Sequence, residues 1–512
     1  MSTGAQVVLQ RLLAEGVEVC FANPGTSEMH FVAALDSAPA MRPVLCLFEG
    51  VATGAADGYA RIAGRPAATL LHLGPGMANG LANLHNARRA YSPVVNVVGD
   101  HATYHKKLDA PLESDIDALG TWLHGSVHRP ASAADLDAVV RDAVRSAVGP
   151  PGRVATVILP ADYSWGTATQ TDLPDPETSE AHDDAGLEIV QAADLLRAHG
   201  DGVTILLGGT ATDAAGLTAA ARIRAATGAR TLVETFPARL ARGRGIPALD
   251  RLQYLAELAT QQLDGTTHLI LAGAREPVSF FAYPGKPSEL VPADAQVHTL
   301  AVADLEKLAD ELGGAVPAAP DNDPAPLPTG PLTVQNWAQV IGALLPENAI
   351  ISDEANTSGV LLPAATASAA PHDLLTLTGG AIGQGLPVAV GAAIAAPHRP
   401  VIALQADGSA AYTISALWTM AREQLDITVV ILNNHAYAIL QMELQRVGTS
   451  ASGERSQSLL DLGNPDIDFV AVAQGFGVPA TRATTAEELA AQFSAALAEP
   501  GPHLIDAAVS AR

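Results

Sequence analysis

The chain has little cysteine and little positive charge. Cys20 and Cys46 are its two cysteines in 512 residues, and both sit inside apolar runs without metal-ligand spacing. That excludes a disulfide scaffold or a cysteine-rich metal module and predicts reduced structural thiols. Lys and Arg number 29 against 54 Asp and Glu, a net charge of −25. Nucleic acid and anionic membrane are therefore not expected as partners, because phosphate surfaces demand clustered cations. No apolar run approaches the roughly 18 residues of a membrane span. The first residues also lack the charged-then-apolar pattern of a secretory leader, so a cytoplasmic protein is expected. A Gly-x-Gly-x-x-Gly turn after a strand, with an acidic residue about 20 positions later, is missing too. Its absence argues against a nicotinamide-dependent dehydrogenase.

The length suggests about three domains. Residues 166–186 are polar and acidic, and residues 314–331 hold Pro317, Pro320, Pro324, Pro326, Pro328 and Pro331, a composition that favours extended linkers. The segments so divided, 1–165, 187–313 and 332–512, each alternate apolar runs with Ala/Leu-rich helical patterns. The expected fold class is α/β, with three doubly wound parallel-sheet domains. The first and third segments hold chemical motifs, whereas the middle one shows none.

The richest motif is Gln405-Ala406-Asp407-Gly408-Ser409, with Asn434 following 25 residues after Ser409. Residues 401–404 read as a strand, Ser409 as a helix cap, and Ile414, Leu417, Trp418 and Ala421 recur at helical spacing before a second strand at 427–432. Such a crossover makes the strands parallel and puts Asp407 and Asn434 at one sheet edge, where a carboxylate and an amide oxygen suit a magnesium ion. The Gly408-Ser409 turn then aims helix amides at a phosphate. Glu49 lies between the strand-like residues 43–48 and a small-residue helix at 50–61, a setting that implies burial. A buried carboxylate stays protonated or finds a partner. The Gly-rich stretch 379–387 lets backbone approach a ligand closely.

In this order the three elements resemble the thiamine diphosphate (ThDP) enzymes, whose metal motif runs Gly-Asp-Gly-Ser, about two dozen residues, then Asn-Asn. Here Ala406 replaces the first glycine, so that position is not expected to need a positive φ. The resemblance implies pyrimidine-binding (1–165), central (187–313) and diphosphate-binding (332–512) domains, with ThDP and magnesium as cofactors. By resemblance Asp407, Asn434 and Ala436 hold the metal, while Gly25, Asn356, Thr357, Gly380, Ile382, Gly408, Ser409, Ala436 and Ile439 border the cofactor. Ile382 is the apolar wedge that bends it, and the Gly380 carbonyl accepts from its amino group. Glu49 is the carboxylate that favours the imino tautomer of the aminopyrimidine. The family also implies a homodimer at least, commonly a homotetramer, with Glu49 and Asp407 of different chains serving one cofactor.

Two groups within that superfamily share the features. Residues 409–419 and Asn434-His435-Ala436-Tyr437 look like benzoylformate decarboxylases, whose substrate-binding serine and active-site histidine fall at Thr26 and His72. Residues 48–61 and Gly74-Pro75-Gly76 followed by Asn79 look like acetolactate synthase large subunits. His101 falls near a glutamine of synthases and decarboxylases, and Ile439 where benzoylformate decarboxylase has a small residue. A branched side chain there leaves less room for a phenyl group, so a small 2-oxo acid such as pyruvate is the expected donor, with carboligation after decarboxylation. Aldehyde release, as in benzoylformate decarboxylase, is the alternative, and a non-catalytic ThDP-binding subunit is a third reading. FAD is not expected: the glycine turns at 208–210 and 272–274 are too short to mark its site.

Overall fold

The computed structural model describes residues 2–170, 186–316, 326–446 and 453–510. The acidic run 171–177 and Pro317, Pro320 and Pro324 of the expected linkers lie outside the described residues. Three parallel sheets organise the rest. The first has the order Arg42–Leu45, Val19–Asn23, Ala67–Leu71, Val94–Asp100, Val154–Pro160, Ser126–His128. The second runs Asp250–Arg251, Arg230–Val233, Val203–Leu207, His268–Ala272, Gln296–Leu300. The third runs Leu240–Arg242, His372–Leu375, Ala349–Glu354, Val401–Ala406, Ile427–Asn433, His503–Ala508, Ala480–Ala483.

All pairings within these sheets are parallel except that of Leu240–Arg242, which lies antiparallel on His372–Leu375. This edge strand comes from the middle segment yet completes the third sheet. Leu240 is buried there, and Arg242 donates to the Pro363 carbonyl. Three residues are too few to signal by periodicity which sheet they join. Central strands such as Ile427–Asn433 are buried at every position, because helices cover both faces of a parallel sheet.

Helix Glu49–Ala63 is buried from Glu49 to Arg61. Small residues make this possible: a Cβ on Gly58 would stand 2.2 Å from the Val388 carbonyl oxygen, and one on Gly391 would stand 1.9 Å from that of Ala55. The helix therefore packs almost backbone to backbone against Gly385–Ala395 of the third segment. Cys20 and Cys46 are free and buried, and burial pushes both thiols up to about 12, which leaves them protonated at neutral pH. No helix among the described residues is long and apolar enough to cross a membrane.

Candidate active site

At the third sheet's carboxyl edge, Val401–Ala406 and Ile427–Asn433 run parallel with Ala406 opposite Leu432, so Asp407 and Asn434 emerge side by side. Ala406 has φ −74°, in keeping with an alanine at that position. Asp407 is buried; its Oδ1 accepts from the Gly408 N–H at 2.8 Å, while Oδ2 has no hydrogen-bond partner among the described residues. Burial raises its pKa, opposed by the N–H groups of Gly408, His435 and Asn434. Asn434 Oδ1 accepts from the Ala436 N–H at 3.0 Å and, as an amide oxygen, keeps a second lone pair. An unpartnered carboxylate oxygen next to an amide oxygen is a donor set for a hard cation. Gly408 is required by packing, since a Cβ there would meet the Tyr437 ring at 2.4 Å.

The expected cap at Ser409 is corrected. The helix spans Asp407–Tyr412 with Ala406 as its cap residue, so Ser409 lies inside the first turn. Its Oγ instead accepts from Asn356 Nδ2 at 2.8 Å. Thr413–Ser415 then interrupts the crossover, and a second helix spans Ala416–Arg422, leaving Ile414 ahead of it. Asn356 (φ 50°) opens a short turn to Gly359, and Thr357 is half-buried in it.

The Gly-rich loop is held from two sides. Buried Glu354, the last residue of its strand, accepts from the N–H groups of Gly383 (2.7 Å), Gln384 (3.3 Å) and Gly385 (2.7 Å). From the first segment, Asn86 Nδ2 donates to the Ala381 carbonyl at 2.8 Å, and Asn83 Nδ2 donates to those of Gly50 and Gly383 at 2.7 and 3.2 Å. Gly380 has φ +74°, and a Cβ there would meet nothing within 4 Å. Ile382 is half-buried.

Glu49 is the first residue of its helix, not the end of a strand: the strand stops at Leu45 and residues 46–48 turn the chain. Its Oε2 accepts from Asn79 Nδ2 at 3.0 Å. His72 lies one residue beyond strand Ala67–Leu71 and caps helix Leu73–Arg89. Glu49 and His72 both border Gly76, where a Cβ would be 3.2 Å from Glu49 Oε1 and 3.3 Å from His72 Cβ. His72 Nδ1 lies 2.8 Å from Glu28 Oε2 and 3.2 Å from Ser27 Oγ.

Glu28 and Ser27 escaped the sequence reading. An acidic residue three positions after a turn residue is a capping-box signal, and Glu28 indeed accepts from the Gly25 N–H at 2.8 Å. Thr26, the residue singled out, is exposed, and the hydroxyl that meets His72 belongs to Ser27. Gly25 leaves room for the imidazole, since a Cβ would stand 2.2 Å from its ring. His101 donates its backbone N–H to Asp100 and lies against the His105 ring at 5.3 Å; its Nε2 is buried without a partner among the described residues. Ile439 is half-buried on helix Ala438–Arg446, which buries no residue completely.

Comparison with known proteins identifies the family. Residues 2–121 match the family model "Thiamine pyrophosphate enzyme, N-terminal TPP binding domain", and residues 355–507 match "Thiamine pyrophosphate enzyme, C-terminal TPP binding domain". The "Putative acetolactate synthase large subunit IlvX" of Mycobacterium tuberculosis is 60% identical over 99% of both chains. Benzoylformate decarboxylase of Pseudomonas aeruginosa is 29% identical over 99% of this chain and 98% of its own. Among solved structures, a ThDP-dependent 4-hydroxybenzoylformate decarboxylase of Rhodococcus jostii RHA1 superposes with TM-score 0.85 at 26% identity, covering 99% of each chain. With both binding modules matched in order and a relative 60% identical from end to end, this chain belongs to the thiamine pyrophosphate enzymes.

Proposed function

We propose that the chain catalyses ThDP- and magnesium-dependent decarboxylation of a small 2-oxo acid such as pyruvate, with release of the aldehyde. The observation that carries this reading is that Glu49 and His72 both border Gly76, so that a carboxylate and the residue bearing an imidazole line the same spot. Asp407 Oδ2, Asn434 Oδ1 and the Ala436 carbonyl suit the magnesium ion, and the unpartnered buried oxygen of Asp407 supports that assignment. In this reading Gly408, Ser409, Asn356 and Thr357 would hold the diphosphate, and the Gly380 carbonyl, Ile382 and Gly25 would hold the remainder of the cofactor. When bound, ThDP supplies the electron sink for breaking the bond to the carboxylate. Glu49 holds the proton shared with the pyrimidine, and His72 Nε2 moves a proton to or from the substrate. His101, whose Nε2 has no partner among the described residues, borders the substrate in this reading.

In this reading half-buried Ile439, three residues after Ala436, bounds the donor site and leaves less room for a phenyl group. Residues 1–165, 187–313 and 332–512 act as pyrimidine-binding, central and diphosphate-binding domains, and two or more copies assemble so that Glu49 of one chain serves the cofactor held by Asp407 of another. Carboligation is the second reading, favoured by the name of the relative that is 60% identical. Assay of a panel of 2-oxo acids with and without aldehyde acceptors, products identified by mass, tests both readings. Aldehyde as the main product from pyruvate-sized donors is expected. A 2-hydroxy ketone from a single donor would favour the synthase reading, and no turnover of any 2-oxo acid with ThDP and magnesium present would overturn both.

A further inference from the structure

We infer that Glu28 is the positioning residue of the active-site imidazole: it fixes His72 as the Nδ1–H tautomer and leaves Nε2 as the atom that exchanges protons. The inference deepens the proposed function and rests on it for its kinetic part. Glu28 is 2% exposed, and three groups converge on it. Its Oε2 meets the Gly25 N–H and His72 Nδ1, each at 2.8 Å, and its Oε1 accepts from Ser27 Oγ at 2.7 Å.

An ionised carboxylate can only accept, so the imidazole nitrogen facing it carries the hydrogen. Two glycines clear the space for this arrangement. A Cβ on Gly99, in the neighbouring strand, would stand 1.7 Å from Glu28 Oε1, and one on Gly25 would stand 2.2 Å from the imidazole. Larger residues at either place would push acid and ring apart. Two carboxylates lie near His72: Glu28 at the ring, and Glu49, which borders Gly76 as His72 Cβ does. Glu28 makes the hydrogen bond to the ring, while Glu49 engages Asn79, so the two acids have separate tasks. A carboxylate behind an imidazole serves in this way elsewhere, holding ring and tautomer while the far nitrogen does the proton transfer.

The test is nitrogen-15 NMR of histidine-labelled protein, with the His72 signals identified by their loss in His72→Ala. An Nδ1–H tautomer in the wild type is expected, giving way to a mixture in Glu28→Gln, whose amide can donate as well as accept. This readout needs no substrate, so it stands or falls independently of the reaction assigned. The kinetic arm is a double-mutant cycle with the turned-over 2-oxo acid. Glu28→Gln should lower kcat about 10²-fold, the lower end of what a positioned acid or base contributes, with KM little changed. In the His72→Ala background the same change should cost nothing further. An Nε2–H tautomer in the wild type would overturn the inference even if Glu28→Gln failed to fold, as would an equal loss of kcat in both backgrounds.

Discussion

Arg61 grips Asp57 one turn earlier in the same helix, Nε to Oδ1 at 2.8 Å, and extends beyond it into both other segments of the chain. Its NH1 donates to the carbonyls of Thr376 at 2.8 Å and Ala238 at 3.3 Å, and its NH2 donates to Thr378 Oγ1 at 3.0 Å. The helix that begins with Glu49 is thus pinned at its far end to the middle and third segments. Position of the candidate catalytic carboxylate depends on a contact three turns away.

Arg61→Ala should therefore be among the most destabilising single changes. Asp57 is fully buried and would be left, among the described residues, with the Ser92 hydroxyl as its side-chain partner, and removal of one member of a buried pair costs about 3 to 5 kcal/mol. Urea denaturation measures the loss. The double change Arg61→Met with Asp57→Leu should recover part of it, because no uncompensated charge is left.

Glu49→Gln should retain ThDP yet slow turnover by roughly 10²- to 10⁴-fold, since an amide cannot share a proton with the pyrimidine as an acid does. Cofactor titration and steady-state kinetics separate the two effects. Wild-type turnover would remove Glu49 from the mechanism.

Asp407→Ala should abolish the rise in melting temperature produced by ThDP with magnesium. Ligand at 100 times its Kd stabilises the native state by about 2.7 kcal/mol, so the shift is readily measured. An undiminished shift would put the metal elsewhere.

Glu354 makes stability depend on pH. Burial pushes its carboxyl up to about 7 from the ordinary 4.5, overcoming three opposing backbone N–H groups. Between those values the folded chain keeps a proton that the unfolded chain has released, so stability from this group falls as pH rises from about 4.5 to about 7 and levels off above. The total is at most about 3 kcal/mol. Glu354→Gln should flatten that decline relative to wild type when denaturation midpoints are compared across this pH range.

Ile439→Ala should raise the ratio of benzoylformate to pyruvate consumption by roughly 10-fold, because a hydrophobic wall discriminates by about 1 to 3 kcal/mol per methylene-sized change. An unchanged ratio in a folded, cofactor-bearing variant would mean that other side chains limit donor size.

Much of this protein is determined locally and could be read from the chain. Asp407 and Asn434 share a sheet edge because two strands joined by a short helical crossover, here in two pieces, pair in parallel. Burial of Glu49 followed from the apolar run before it and the small residues after it, which suit only a helix wedged between layers. Tertiary structure decided what lay far apart in sequence. Glu28 meets His72 across 44 residues, and no period or motif encodes that contact; it exists because Val19–Asn23 and Ala67–Leu71 are neighbouring strands whose carboxyl ends open at the same edge. Glu354 captures the N–H groups of residues 383–385 for a similar reason, and Leu240–Arg242 crosses from the middle segment to complete another sheet. Short-range patterning fixes which residues are buried or turned, whereas pairing between distant strands chooses which buried polar groups become partners.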